Sequence, residues 1–331
     1  DYTDSSCPAL LLEPQRTNFL YHSEYFGTWS DAGTAPIIEQ NYGISPEGLQ
    51  NSTRLNLVDS NDLIYQSGLG GAGAGVKAFS VFAKNIENGT SIIQLRMDTS
   101  SGQANTSFDL SDGTIDSSSA DSSQIIDYGN GWYRCISITD ATVNNAVFSG
   151  GTNLDCEIFG AQLEAGSYAT SYIPTYGTSV TRNADESYKT GISSLIGQTE
   201  GTFFIEIKPV NSPYLSPEIN LSAGGDLGNA VRLQFRSNGN IRYYLFANGV
   251  NTLTSVSESY DDYVKIAITY KSGELKMFIN GTQRGSTDTF SFSFAGTLDT
   301  CENRYPQSVT KQLLIFPTTL TDAELAALTT I

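Results

Sequence analysis

The chain has 331 residues, with 35 Asp and Glu against 18 Lys and Arg, for a formal net charge of −17. So large an acidic excess argues against nucleic acid or an anionic membrane surface as partner and suits a neutral ligand, Ca2+ or salty surroundings. Gly is abundant at 31 residues, aromatics reach 11%, and Met is sparse at 2, which favours turn-rich β-structure over helical bundles.

The length accommodates two domains, each with its own core. No apolar run approaches the roughly 18 residues that span a bilayer, so membrane insertion is not expected. The start at Asp1 without a leader reads as a processed or excised chain. In the first half, KAFSVFAKN (77–85), SIIQLRMD (91–98), GWYRCISIT (131–139) and DCEIFGAQLE (155–164) alternate apolar and polar residues between Gly, Asn and Ser clusters. That period of two marks strands with one buried face, and together they read as a jelly-roll sandwich.

The second half opens on GTFFIEIKP (201–209) and carries Asn-Gly pairs at 238, 248 and 280, each a hairpin signal. VKIAITY (264–270) and ELKMFING (274–281) place Val264, Ile266, Ile268, Leu275, Met277 and Ile279 on one face. In LTDAELAAL, Thr321 and Glu324 form a capping box and Leu320 and Leu325 a hydrophobic staple, which predicts one short C-terminal helix. The expected architecture is therefore all-β: two antiparallel sandwiches in tandem, residues 1–178 and 179–331, closed by that helix. GAQLEAGSYATSYIPTYGTSVTRNADE (160–186) spans the junction, ending one strand and then running polar and turn-rich.

Several phrases carry a resemblance. LLLEPQRTN, GNGWYRC and IFGAQLEAGSYATSYIPT resemble the first module of tandem β-sandwich proteins of phage tail and head-fibre type, a carbohydrate-binding-module-like jelly roll. TEGTFFIEIKP, VKIAITYKSGELKMFINGTQ and LLIFPTTLTDAELAAL are similar to laminin-G-like domains of the concanavalin A-like lectin/glucanase fold. The resemblance covers nearly the whole chain and specifies architecture better than activity. It implies an extracellular, virion-surface or secreted bacterial protein, a glycan as ligand, and assembly as a homo-oligomer, most often a trimer. It also raises the prospect of a structural Ca2+.

Catalytic constellations are scarce. His22 is the one histidine, and the strand where concanavalin A-like glucanases carry Glu-x-Asp-x-x-Glu offers Glu206 alone, so hydrolysis by that route is not expected. Hard oxygens at Asp59, Asn61 and Asp62 suit Ca2+, or else an ordinary Asx turn. Aromatic faces beside amides suit sugar rings, which singles out Trp29, Tyr243, Tyr244, Asn211 and Tyr214, although the cluster around Trp29 also suits a core. Cys135 and Cys156 read either as a disulfide between neighbouring strands or as buried thiols. Glu13, Gln15 and Arg16 form either a polar pocket for a ligand or a fastening to Gln162 and Glu164.

Overall fold

Strands whose alternate side chains are apolar bury that face by stacking sheets in pairs. This chain does so twice. The structure, a computed structural model, describes residues 9–34, 36–86, 89–209, 217–236, 239–258, 262–304 and 308–331. It is all-β with one short helix, and it divides into two compact units, one of residues 15–183 and the other of 184–331 together with the segment ahead of Gln15.

In the first unit one sheet runs Thr114–Ser118, Gly102–Asp109, Ile92–Thr99, Val143–Gly150, Leu63–Gln66, Ser30–Ala32. The facing sheet runs Ser122–Gly129, Trp132–Asp140, Val76–Asn85, Leu154–Ala165, Thr53–Leu57, Ile37–Glu39. Neighbours pair antiparallel throughout. Phe79 and Val81 from one sheet meet Leu95, Phe108 and Phe148 from the other in a core without solvent access. Each such side chain contributes roughly 1.5–3 kcal/mol.

The second unit pairs a sheet of Leu10–Leu12, Ser308–Phe316, Glu200–Pro209, Val264–Lys271, Lys276–Ile279 and Thr282–Gln283 with another. That other sheet runs Ser187–Lys189, Thr300–Arg304, Glu218–Ala223, Asp226–Phe235, Asn240–Ala247, Val250–Ser257. The face expected from alternation is the buried one: Val264, Ile266, Ile268, Leu275, Met277 and Ile279 all lie in the core. Asn248-Gly249 and Asn280-Gly281 turn their hairpins with φ of 48° and 80°, and 47° and 82°, the left-handed pair a type I′ turn demands. Asn238 lies outside the described residues. The helix Asp322–Thr329 has its capping box and seats Leu325 on Phe204, Ala267 and Phe278 behind the first sheet. No helix among the described residues is long and apolar enough to cross a membrane.

The division differs from 1–178 and 179–331 at the start of the chain. Leu10–Leu12 does not open the first sandwich; it pairs with Ser308–Phe316 in the second, Leu11 opposite Val309. The physical reason is that Ser308–Phe316 would otherwise present an open edge, and an apolar triplet covers it. The first sandwich is thus inserted between the first strand of the second and the remainder. Both crossings are paired. Asp185 N donates to Glu13 O at 2.9 Å and Glu13 N to Asp185 Oδ2 at 2.8 Å, and beyond them Arg16–Asn18 ladders with Val180–Arg182.

A chain that starts at Gln15 is expected to show two calorimetric transitions. The one belonging to residues 184–331 should move down in temperature and the one belonging to 15–183 should stay. An unshifted second-unit transition would mean that the Leu10–Leu12 ladder contributes nothing.

Candidate functional site

The residues that sequence reading singled out separate sharply once placed. Trp29 is core, 5% exposed, stacked on Phe148 with ring centroids 5.1 Å apart and its Nε1 donating to His22 O at 2.8 Å, so it is no ligand platform. Tyr243 is core too: its hydroxyl donates to Thr269 O at 3.0 Å, and burial pushes the phenol well above its ordinary range. Asn211 and Tyr214 lie outside the described residues. Tyr244, one position along the strand from Tyr243, faces out.

The loop of Asp59, Asn61 and Asp62 spends its carboxylates on nearby N–H groups. Asp62 accepts from Thr34 N at 2.6 Å and Asp59 N at 2.9 Å, and Asp59 Oδ1 accepts from Asn61 N at 3.1 Å, which describes the Asx turn. The disulfide is corrected. Cys135 stands opposite Val81 and Cys156 opposite Asn85, so the two lie on strands that flank Val76–Asn85 without touching each other. Two strand spacings, about 9.6 Å, exceed the roughly 7 Å between Cα atoms that a disulfide tolerates. Both are free, buried thiols, and loss of water raises both above the usual thiol range.

The polar residues near the start of the first sandwich form a fastening. Arg16 Nε lies 3.4 Å from Glu164 Oε2, and Glu164 also accepts from Thr170 N at 2.8 Å, Thr170 Oγ1 at 2.7 Å and Gln162 Nε2 at 2.6 Å. Gln162 Oε1 takes Ile173 N at 2.7 Å, Asn18 Nδ2 donates to Ala161 O and Ile173 O, and Arg134 donates to Thr170 O at 2.6 Å. Burial pushes the Glu164 carboxyl up, against the hydrogen bonds of Thr170 and Gln162 and the charge of Arg134. Glu13 belongs to the second unit.

The candidate site lies on the outward face of the second unit's Ser187–Ser257 sheet. Strand pairing sets one side chain from each of its six strands in a row: Tyr188, Glu302, Asn220, Arg232, Tyr244, Leu253. Five strand spacings make the row about 24 Å long. Tyr188 is 63% and Leu253 46% exposed, so both ends meet solvent. At the Leu253 end Tyr244 stacks on Phe246, centroids 5.8 Å apart and planes at 21°, a consequence of two aromatics at i and i+2 on one strand face. The Arg232 guanidinium lies 5.6 Å and 5.2 Å from those two rings, and Arg242 Nη1 donates to the Tyr244 hydroxyl at 3.1 Å.

At the Tyr188 end the face opens into a cavity of about 360 Å³ lined by Tyr188, Thr190, Gly224, Gly225, Asp299, Thr300 and Glu302. Gly224 and Gly225 hold φ of 57° and 84°, and a Cβ on either would meet nothing, so the double glycine turns the chain and leaves the mouth clear. Asp299 accepts from Gly224 N at 2.8 Å and from the Thr300 hydroxyl at 2.9 Å, which holds its carboxyl below the usual range. Glu302 pairs with Arg304 at 3.2 Å. Between the two ends runs Glu218–Ala223, whose outward side chains Glu218, Asn220 and Ser222 are polar yet buried. Arg232 and Gln234 bond Glu218 Oε2 at 2.7 Å and 3.1 Å. Glu218 Oε1, both polar atoms of Asn220 and Ser222 Oγ have no partner among the described residues.

Sequence reading found Tyr244 and missed the rest of this face. Tyr188 and Glu302 sit on short strands with no clear alternation, and only their pairing brings them together across more than a hundred residues. A usable signal did exist: EINLSA (218–223) alternates polar and apolar residues, followed by Gly224-Gly225.

Three exposed tyrosines of the first unit have local partners. Tyr176, 73% exposed, bonds Glu24 Oε1 at 3.2 Å, Tyr42 lies under Arg54, and Tyr128 packs edge-on against Phe82.

No family model and no curated protein matches the chain. Solved structures to which it is similar include the carbohydrate-binding module CBM40 of the Ruminococcus gnavus IT-sialidase bound to α2,3 sialyllactose. That likeness has 16% identity over 44% of this chain and 94% of the other, with a TM-score of 0.37. Domains LG4-5 of the mouse laminin α1 chain match at 10% identity over 86% and 90%, with a TM-score of 0.30. Trypanosoma rangeli sialidase matches at 12% identity over 88% of this chain and 61% of the enzyme, with a TM-score of 0.31. At these scores the likenesses carry no argument about ligand or activity.

Glu164 makes the first unit's stability depend on pH with a definite sign. Its folded carboxyl binds a proton more tightly than the ordinary 4.5 of the unfolded chain, so its cost is fully present at neutral pH. The cost is relieved as pH falls through the raised value, and relief is complete below 4.5. Glu164→Gln should flatten that part of the melting-temperature profile above pH 4.5. Arg16→Ala should remove about 1 kcal/mol, or roughly 2–4 °C, by taking one charge partner from the carboxylate while Thr170 and Gln162 still donate to it. An unchanged melt in Arg16→Ala with loss of a ligand would return these residues to a binding role.

Proposed function

We propose that the chain is a non-enzymatic surface-recognition protein and that the second sandwich binds glycans on the face running from Tyr188 to Leu253. The observation that carries this reading is the coincidence on one face of an open cavity, the exposed Tyr188 ring, the half-buried Tyr244 and Phe246 rings, and hydrogen-bonding groups without partners among the described residues. Sugar rings offer C–H faces to aromatics and hydroxyls to amides and carboxylates, so this mixture complements them. Phrases such as LLLEPQRTN and IFGAQLEAGSYATSYIPT support placing it as a fibre or spike component on a phage virion, working outside the cell as a homo-oligomer, with a trimer favoured. A secreted bacterial carbohydrate-binding or adhesin module is the second reading, and a virion decoration without ligand the third.

Hydrolysis fits the cavity poorly. A glycosidase needs one carboxyl held protonated across from an ionised one. Asp299 is instead held ionised by Gly224 and Thr300, and Glu302 is paired with Arg304. Ca2+ has no part in the proposed contacts.

Binding to a panel of host-surface polysaccharides, with Ca2+ and with a chelator, tests the reading. Tyr244→Ala and Tyr188→Ala should each bind about tenfold more weakly, the loss of an aromatic face worth ~1.4 kcal/mol, with the melting temperature held in Tyr188→Ala and lowered in Tyr244→Ala, which also loses the Phe246 stack and the Arg242 hydrogen bond. Silence across the panel would favour decoration, and release of sugar products would make the protein an enzyme. Light scattering should return three times 35.7 kDa if the trimer is right.

A further inference from the structure

The cavity at the Tyr188 end has a chemistry of its own, and any part it plays in sugar recognition rests on the glycan reading of this face. Two carboxylates line it, Asp299 and Glu302, and Asp299 is fixed as an anion by the Gly224 N–H at 2.8 Å and the Thr300 hydroxyl at 2.9 Å. An acidic sugar entering would set a third negative charge beside them, in a chain already at −17. The charge of Glu302 is shared with Arg304, while Asp299 has no basic group among its hydrogen-bond partners.

Beneath the lining lie groups without partners. Asn220 pairs in register with Glu302 and Ser222 with Thr300, so both stand next to cavity walls on the same outward face. Asn220 has no solvent exposure, and among the described residues neither its Nδ2 donor nor its Oδ1 acceptor is bonded, nor is Ser222 Oγ. A buried amide left unpaired destabilises a fold, and sites built to receive a hydroxyl leave such groups waiting. An amide offering one donor and one acceptor matches a pair of adjacent hydroxyls, each of which both gives and accepts a hydrogen bond. The Tyr188 ring, 63% exposed at the mouth, supplies the face for the ring's C–H side.

We propose that this cavity is the subsite for a single neutral, hydroxyl-rich sugar ring. Asn220 takes a pair of adjacent hydroxyls and Ser222 a more distant one once the Glu302 side chain turns aside, Tyr188 stacks against the ring, and Asp299 with Glu302 excludes rings that carry a carboxylate. The Tyr244 and Phe246 shelf, toward the far end of the roughly 24 Å row, is then the place for a later ring of the same chain.

The test uses the whole protein and paired probes that differ in one charge: lactose against 3′-sialyllactose, and a glucoside against its glucuronide, with binding and melting temperature measured together. Neutral probes should bind at least tenfold more tightly than their acidic partners, and Asp299→Asn combined with Glu302→Gln should narrow that gap to about threefold. Asn220→Ala should weaken the neutral probe about tenfold while leaving the melting temperature unchanged or higher, because the amide contributes no bond to the fold. A lower melting temperature in Asn220→Ala would make the residue structural and overturn its assignment. Equal or preferred binding of the acidic probes would overturn the neutral-ring subsite and leave the glycan reading standing. Absence of binding by any sugar on the wider panel would overturn the reading itself.

Discussion

A carboxylate that water cannot reach governs how the first sandwich closes. Glu164 ends the long strand Leu154–Ala165 with no solvent exposure, and a lone ion there would cost several kcal/mol. Three hydrogen bonds and one ion pair, from three directions, offset that cost: the Arg16 guanidinium from Arg16–Asn18, Gln162 from the same strand as Glu164, and the amide and hydroxyl of Thr170 from the segment that follows. Each donor is delivered only if the chain ends are in place. Because the group is unsatisfied in any other arrangement, it selects one closure of the sandwich rather than adding much net stability. Arg134 and Asn18 extend the same logic, bonding Thr170 O and Ile173 O and so holding the 170–173 stretch against the sheet.

The residues of this fastening all lie within phrases that sequence reading singled out. Asn18 and Arg16 come from LLLEPQRTN, Arg134 from GNGWYRC, and Gln162, Glu164, Thr170 and Ile173 from IFGAQLEAGSYATSYIPT. They are parts of one fastening, far apart in the chain and adjacent in space. Sequence reading offered Arg16 either a ligand pocket or a fastening to Gln162 and Glu164, and the structure makes it the fastening. Sequence reading could not see that Glu13, three residues before Arg16, belongs to a different sandwich. Alternation shows that Leu10–Leu12 wants a sheet, but not which sheet has an edge to cover, and that is decided by Ser308–Phe316 some three hundred residues later.

The candidate site was legible only where one strand contained its own evidence. RYYLFANG placed two tyrosines side by side, and a period of two required one of them to face out; the structure sends Tyr243 in and Tyr244 out. Trp29 misled for a physical reason, since a sandwich core consumes the same aromatics that a sugar platform does. The cavity end was invisible because its walls come from Tyr188, Gly224 and Glu302, on three separated segments whose registry is a property of the folded sheet. Sheets assemble sites across strands, whereas sequence reading works along them.

The paired crossings have a consequence for how such a protein is put together. Glu13 and Asp185 are hydrogen-bonded neighbours although 172 residues separate them. The whole first sandwich is therefore a guest looped out of a gap in its host no wider than one hydrogen bond. Joining Pro14 to Ala184 would leave the second sandwich with an ordinary tight turn in place of a domain. A host with that geometry can lose its guest, or exchange it for another of different size and shape, without a strand of its own ladder changing partner.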